Sequence, residues 1–488
     1  MIIGTLKETV KPVIDYTGKF KDKRLETRGD QIASSMIEKE TAVLNQLSDS
    51  RAEYVAASRF FNNDSVTLGA IIEESGERCQ IAANGKHVLA IHDTSEVNCQ
   101  AHRGKLSRLD KELGPVGNNK NIGFFIHPTL VLERDSGFPL GIASTYAWNR
   151  TWDKKTKEER NYKSQPNDPK ESYRWIESSE KAKEVLEEAA SVTIVADRES
   201  DIYEEFAVVP DDKTDLVIRS THNRKLYDSD EKLFEQLNDL EIAGTYDLEV
   251  KKSQKKRTPR TAKMEVRYDC VKLARPDNCS DELSPFVEVY AIETRESSET
   301  VPEGEDPIIW RILTTHEVLS LELAVEVIYW YSLRWRIEEL FRTMKKEGLN
   351  VEASQLETGA GLKKLVVMAL NAALIIMQLV ADRDGEAGKL ADLVFSNEEI
   401  ECLEEVGNSL EGKTKATKNP NEIYSLAWAA WTIGRLGGWK GYRKAGPAGP
   451  ITMKRGMQKF SNIFEGWKLR VASEVAQLEP SEECLCMG

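Results

Sequence analysis

Two short apolar runs, each stopping at an aspartate, constrain this chain more than any other feature. Val88-Leu89-Ala90-Ile91 leads into His92-Asp93, and Ser191-Val192-Thr193-Ile194-Val195-Ala196 leads into Asp197. Runs of this length, bounded by polar residues, read as buried strands. A carboxylate directly after such a strand sits at the rim of its sheet. Between the two, Gly123 to Leu132 and Phe138 to Trp148 are strand-like runs joined by Glu133-Arg134-Asp135-Ser136-Gly137, the pattern of a hairpin. Residues 170–190 read as a charged amphipathic helix. Strand, hairpin, helix, strand is the order of an α/β layer architecture.

The flanks read differently. Over the first ~70 residues the spacing of Ile32, Met36, Leu44 and Leu47 predicts helices, and Asn62-Asn63-Asp64-Ser65 a turn before a capped helix start. Residues 212–315 are strand-rich: Leu216–Arg219, Thr245–Val250, Lys263–Leu273, Phe286–Glu293 and Ile308–Thr314. A basic run, Lys251–Lys263, falls in a loop between two of these strands and holds no acid. From Ser320 helices return, broken late by Gly437-Gly438 and by residues 446–450. At 488 residues the chain exceeds one ordinary core. The expected division is 1–70, then 71–385 with a β-rich insertion at about 212–315, then 386–488.

Several function classes recede. The first twenty residues lack an apolar signal core, and Leu365–Val380 is interrupted by Asn371 and Gln378, so it reads as a buried helix and not a bilayer span. Seven scattered cysteines argue against a secreted disulfide framework, which places the chain in the cytoplasm, with no membrane. No phosphate-cradling GxxxxGK[ST] run is present, so no nucleotide cofactor is implied. The net charge of −14 is unexpected for a nucleic-acid protein, but its distribution matters more than its sum. Acids gather in Glu73–Glu77, Glu177–Glu188 and Glu398–Glu411, bases in Lys19–Arg28, Lys154–Arg160, Lys251–Lys263 and Arg334–Lys346.

The stretch from Tyr331 to Lys345, YSLRWRIEELFRTMK, carries the chemistry. At 100° per residue, Tyr331, Arg334, Glu338 and Lys345 fall at about 0°, −60°, −20° and −40°, one stripe of a helix. Glu339 points about 100° away from Glu338, which selects Glu338 as the functional acid. A carboxylate among cations suits a metal ligand beside a phosphate chain. A solvated face held by i, i+4 ion pairs fits the stripe equally well. Asp93 and Asp197 tip that balance. Two rim aspartates and a helical glutamate can hold two Mg²⁺ ions about 4 Å apart, one activating the attacking oxygen and one steadying the leaving oxygen. Taken singly, either aspartate would read as a turn residue after a strand. His92 reads as a hydrogen-bonded structural residue.

Asp93 in IHDTS, Asp197 in ADRESDIYE, and the Y-(2)-R-(3)-E-(6)-K spacing of Tyr331, Arg334, Glu338 and Lys345 resemble the DDE transposases of the insertion sequence four family. The resemblance extends through KRLETRGDQIA, YVAASRFFNN, LVIRSTHNRK, WRILTTHEV, AWTIGRLGG and FEGW. It implies an α/β, ribonuclease H-like catalytic domain with an inserted β-subdomain, a helical DNA-binding domain before it and a helical dimerisation domain after it. By that resemblance Asp93, Asp197 and Glu338 are the catalytic metal ligands, taking two Mg²⁺ ions with Mn²⁺ able to substitute. Tyr331, Arg334 and Lys345 hold transposon-end phosphates. Trp310 stacks on a flipped base, unless it is a core aromatic, and Arg219 lies near the cleaved end, unless it is plain surface charge. Lys23, Arg24, Arg28 and Arg59 match basic residues that bind the transposon end, and Arg342 stands where relatives often carry lysine.

The implied activity is cut-and-paste transposition of double-stranded DNA by a homodimer. A 3′-OH is released, a hairpin forms and opens, and the same 3′-OH joins target DNA. Two other readings of the residues stay open: a stand-alone ribonuclease H-like nuclease, and a catalytically silent DNA-binding regulator derived from a transposase.

Overall fold

The computed structural model describes residues 14–117, 119–152, 173–227, 229–251, 257–346, 348–441 and 446–478. Its helices, in chain order, are α1 (Lys23–Glu38), α2 (Leu44–Leu47), α3 (Arg51–Phe61), α4 (Leu68–Ala83), α5 (Tyr173–Val185), α6 (Tyr203–Val208), α7 (Leu233–Asp239), α8 (Leu321–Ser332), α9 (Trp335–Met344), α10 (Gly359–Ala381), α11 (Asn397–Leu410), α12 (Leu426–Leu436) and α13 (Pro450–Leu478). The strands are β1 (His87–His92), β2 (Ser95–Asn98), β3 (Gly114–Val116), β4 (Asn121–Glu133), β5 (Pro139–Trp148), β6 (Ser191–Ala196), β7 (Thr214–Arg219), β8 (Gly244–Val250), β9 (Arg260–Ala274), β10 (Phe286–Glu296) and β11 (Ile309–Thr314). Two compact units divide the chain, one of residues 75–103 and 107–341, the other of 1–74, 104–106 and 342–488.

The first unit is built on a mixed sheet ordered β2-β4-β1-β6-β7-β11-β10-β9-β8, with β3 and β5 also paired to β4. The two apolar runs form its centre. β1 and β6 lie parallel, as do β6 and β7, while β4 pairs antiparallel with β1 on the other side. Every residue of β1 after His87 is buried, and every residue of β6 after Ser191, as expected where parallel strands are covered on both faces. The expected hairpin is β4 and β5, and α5 covers β5 and β1. This α/β arrangement is the ribonuclease H-like fold.

From β7 the sheet continues antiparallel through β11, β10, β9 and β8, so the expected strand-rich segment extends the same sheet. Short helix α7 also falls inside this strand-rich segment. Of the basic run, residues 252–256 lie outside the described residues. β9 begins at Arg260, three residues before the expected strand start at Lys263, so the end of the basic run pairs with β8 instead of lying in a loop. Arg260 is committed to Glu296 and Glu305 at 2.7 and 3.0 Å.

The second unit is helical. Ile32, Met36, Leu44 and Leu47 are all buried, which is why their spacing announced the helices. The turn at Asn62–Ser65 leads to α4 through Thr67, whose hydroxyl accepts from the Ala70 amide at 3.1 Å. Helix α10 is apolar on nearly every side and sits in the core, as Leu365–Val380 implied. It is long and apolar enough to cross a membrane, yet 83% of its most apolar window is buried within the protein. Lys364 of α10 donates to the carbonyls of Phe61 and Asn63 at 3.1 and 2.9 Å, joining the end of α3 to it.

Candidate active site

Strand register places the first two acids. Ile91 pairs with Val195 in the parallel β1–β6 ladder, so two residues on, Asp93 and Asp197 leave neighbouring strands at the same rim. The two-residue step returns both side chains to one face. Asp197 then caps a 3₁₀ turn, Arg198–Ser200, its Oδ1 accepting from the Glu199 amide at 2.8 Å. Asp93 Oδ1 accepts from the Thr94 amide at 2.7 Å.

Glu338 arrives from α9, and Arg334 connects it to the rim. One arm of the guanidinium donates to Asp93 Oδ2 at 3.0 Å and the other to Glu338 Oε1 at 2.9 Å. Arg334 and Asp93 expose only 13% and 19% of their side chains, so this cation faces one poorly hydrated carboxylate, whereas Glu338 is 35% exposed. Glu339 turns instead to Arg336, at 2.9 Å. The placement of Glu338 toward Arg334, with Glu339 turned away, agrees with the expected helix faces.

The single helical stripe does not hold. Helix α8 ends at Ser332 and α9 starts at Trp335. Ser332 donates its hydroxyl to the Tyr329 carbonyl, and the Arg334, Arg336 and Ile337 amides bond three residues back, tightening the chain between the helices. Arg334 therefore sits in the joint itself. Tyr331 ends α8, Glu338 lies on α9, and Lys345 follows its last residue.

Around the acids stands a second layer. Burial raises the pKa of the Tyr331 phenol, against the opposing pull of the nearby Arg334 and Arg219 guanidiniums. Arg219 is the last residue of β7, paired with Ile312 of β11. Trp310 meets the Tyr331 ring edge to face at 5.6 Å, and is half-buried beside Ala262, Met264, Ile308 and Tyr246. Its flank is thus a core contact while part of the indole stays open. Arg219, Trp310, Tyr331, Arg334, Asp93, Asp197 and Glu338 all belong to the sheet-bearing unit.

The remaining basic residues belong to the helical unit. Lys345 is 3.8 Å from Glu352, and Arg342 is exposed. On α1, Lys23 and Arg24 are exposed, Arg28 is half-buried, and Arg24 forks onto Asp22. Arg59 is exposed on the last turn of α3.

Electrostatically the rim is starved of positive charge. Burial pushes the Asp93 carboxyl up to about 6, helped by Asp197 and Glu338 and opposed by Arg334 and the Thr94 amide. Arg334, whose own pKa burial would lower, is held above its ordinary value by Tyr331, Glu338 and Asp93. Among the described residues no three acids or other donors already form a closed ligand cluster. The donor set nonetheless fits a hard divalent cation, since it consists of carboxylate oxygens whose mutual repulsion a cation would relieve.

Next to Asp93, His92 Nδ1 lies 3.1 Å from His127 Nε2, and both rings pack on Trp175. Burial drives His92 down to about 3 and lowers His127 too, so both are neutral core residues. Sequence reasoning missed Asp201 and Arg224, an ion pair at 2.6 Å directly behind Asp197. The only local sign of it was a second aspartate in ADRESD.

Residues 17–66 match the family model described as Transposase DNA-binding, and residues 176–376 match that described as Transposase DDE domain. The chain carries the two domains of a transposase. Lys23, Arg24, Arg28 and Arg59 fall in the first match, and Asp197, Arg219, Trp310, Tyr331, Arg334, Glu338, Arg342 and Lys345 in the second. Asp93 lies outside both, brought to the site by the β1–β6 pairing. Among solved structures, the cryo-EM piggyBac transposase synaptic complex with hairpin DNA is similar over 98% of this chain and 84% of that one. Identity there is 8% and the TM-score 0.36, so that likeness carries no argument.

Proposed function

We propose that this transposase cuts and pastes DNA by hydrolysis and transesterification at transposon ends, and that it belongs with the insertion sequence four family, near the transposase of transposon five. The observation that carries this reading is the Arg334 fork, which spans Asp93 and Glu338 while Asp197 stands close enough to raise the Asp93 pKa. Acids that a purely structural network would have matched with several cations share one here.

Asp93, Asp197 and Glu338 would hold Mg²⁺ ions, which polarise the scissile phosphate and steady the attacking and leaving oxygens. Arg334 keeps the two acids side by side, and its fork suits a phosphate of the bound strand. Tyr331 and Arg219 fix the orientation of that fork and add donors beside it. Trp310 offers the open part of its ring to an extruded base. The reaction frees a 3′-OH, which attacks the opposite strand to make a hairpin. After hydrolytic opening the same hydroxyl joins target DNA.

In this reading residues 1–70 bind the transposon end through Lys23, Arg24, Arg28 and Arg59, residues 71–385 cut, and residues 386–488 dimerise. Lys345 and Arg342 contact end phosphates. The partners are transposon-end and target DNA and a second copy of the chain, within the cytoplasm.

The test replaces Asp93 with Asn. Strand cleavage of a duplex carrying the inverted repeat that flanks the gene is expected to vanish, while binding of that duplex stays nearly intact. Cleavage at the wild-type rate in this variant rejects the assignment.

A further inference from the structure

Asp197 and Arg219 occupy successive parallel strands, and the β6–β7 ladder last pairs Ala196 with Ile218. Asp197 follows the last residue of β6 and Arg219 is the last of β7, so both lie just past that ladder, with Arg219 still paired to Ile312 of β11. Behind them, the Asp201 side chain is wholly buried and saturated with bonds. Its Oδ2 accepts from the Thr221 and His222 amides at 2.8 and 3.0 Å, on the segment that follows Arg219. Its Oδ1 accepts from Arg224 Nε and Nη2 at 3.0 and 2.6 Å, and Arg224 also donates to the Asp201 carbonyl. Asp201 itself closes the 3₁₀ turn that Asp197 opens. Next to it, Ser200 is bonded to buried Glu205, which also accepts from Ser179 of α5 at 3.2 Å. The turn is thus clamped from two sides.

We infer that Asp201, with Arg224, is a positioning residue that ties the turn holding Asp197 to the exit of the strand holding Arg219, so that a metal-ligating acid and a phosphate-side arginine keep a fixed spacing. The inference rests on the roles proposed above for Asp197 and Arg219. Residues that orient direct ligands commonly change metal affinity or activity by about 10- to 100-fold when altered.

Full-length Asp201→Asn keeps the side-chain shape and loses the charge facing Arg224, whereas Arg224→Lys keeps the charge and loses the fork. Amide hydrogen exchange is expected to quicken at Thr221 and His222 and, together with them, at Glu199, whose amide Asp197 holds. Arg224→Lys should do the same more weakly. At saturating Mg²⁺, single-turnover cleavage of the flanking-repeat duplex is expected to slow roughly 10- to 100-fold in Asp201→Asn, with the Kd for that duplex changed less than about twofold. Exchange that quickens only at Thr221 and His222 overturns the tie, whether or not the DNA is cut. An unchanged cleavage rate in Asp201→Asn, beside an active wild type, overturns it as well. If the wild type does not cut while exchange behaves as expected, the proposed function fails and the tie stands. Should Asp201→Asn not fold, Arg224→Lys decides both measurements.

Discussion

Two regions of one sheet treat their acids in opposite ways. In the antiparallel extension, every buried glutamate has a cation or two of its own. Glu293 accepts from Arg311 at 2.7 Å and Arg295 at 3.2 Å, and Glu296 from Arg260 at 2.7 Å. At the rim of the parallel strands, Asp93 and Glu338 share the single guanidinium of Arg334, and Asp197 adds further negative charge. Matched pairs in low dielectric fix a shape. A surplus of carboxylate at a partly buried rim is unfavourable unless something else neutralises it. The contrast separates acids matched with cations of their own from acids that outnumber theirs.

The largest expected effect breaks that contrast if it fails. Glu338→Gln is expected to lower strand cleavage by at least about a thousandfold, since metal-held charge stabilisation is worth several kcal/mol in the transition state. Its melting temperature should hardly move, because Arg334 keeps Asp93. Glu296→Gln is expected to do the reverse: it leaves Arg260 with Glu305 alone, costing about 1–3 kcal/mol of stability, while the folded fraction still cuts. Calorimetry and single-turnover cleavage on the two variants measure both halves. Equal losses of stability in the two would erase the distinction.

A smaller effect concerns Glu205, an acid with hydroxyl partners and no cation. Burial pushes it up to about 8, against the bonds from Ser200 and Ser179. Between its ordinary value of 4.5 and about 8, the folded chain keeps a proton that the unfolded chain has released. This group's contribution to stability therefore falls as pH rises through that window, by about 1.4 kcal/mol per pH unit, and levels off above it. Glu205→Gln should flatten the difference in urea midpoints from about pH 5.5 to about pH 7.5. A parallel shift of both curves would mean the carboxyl is already ionised in the folded chain.

What the sequence disclosed follows the range of the interactions. Asp93 and Asp197 were legible because four to six apolar neighbours mark a buried strand without knowledge of its partners. Glu338 with Arg334 was legible too, as an i, i+4 pair. The bond from Arg334 to Asp93 joins residues 241 positions apart, and no periodicity carries that. The break between α8 and α9 was hidden because hydrophobic spacing runs through it, whereas the cause is one serine hydroxyl and a few shortened backbone bonds. Asp201 looked like another polar turn residue until Thr221, His222 and Arg224 closed on it. Trp310 makes the core contact that one of its two expected roles required, packed against Met264 and Ile308, and it also meets Tyr331 edge to face.

The smallest expected effect lies on the exposed face of the extension. Lys263 meets Glu299 at 3.3 Å, with 44% and 71% of the side chains exposed. Solvent and salt screen such a pair, so Lys263→Ala is expected to change stability by less than about 0.5 kcal/mol. The same residue also ends the basic run whose middle, residues 252–256, lies outside the described residues, and that run is where positive charge in this acidic chain could still meet a phosphate. Titrating the flanking-repeat duplex at several salt concentrations distinguishes the two. If Lys263 only decorates β9, affinity and its salt dependence are unchanged. If it touches the DNA, the logarithmic salt slope should fall by about one while sequence preference stays the same. In that case the extension would be more than a structural counterpart to the rim, binding the strand that the rim cuts.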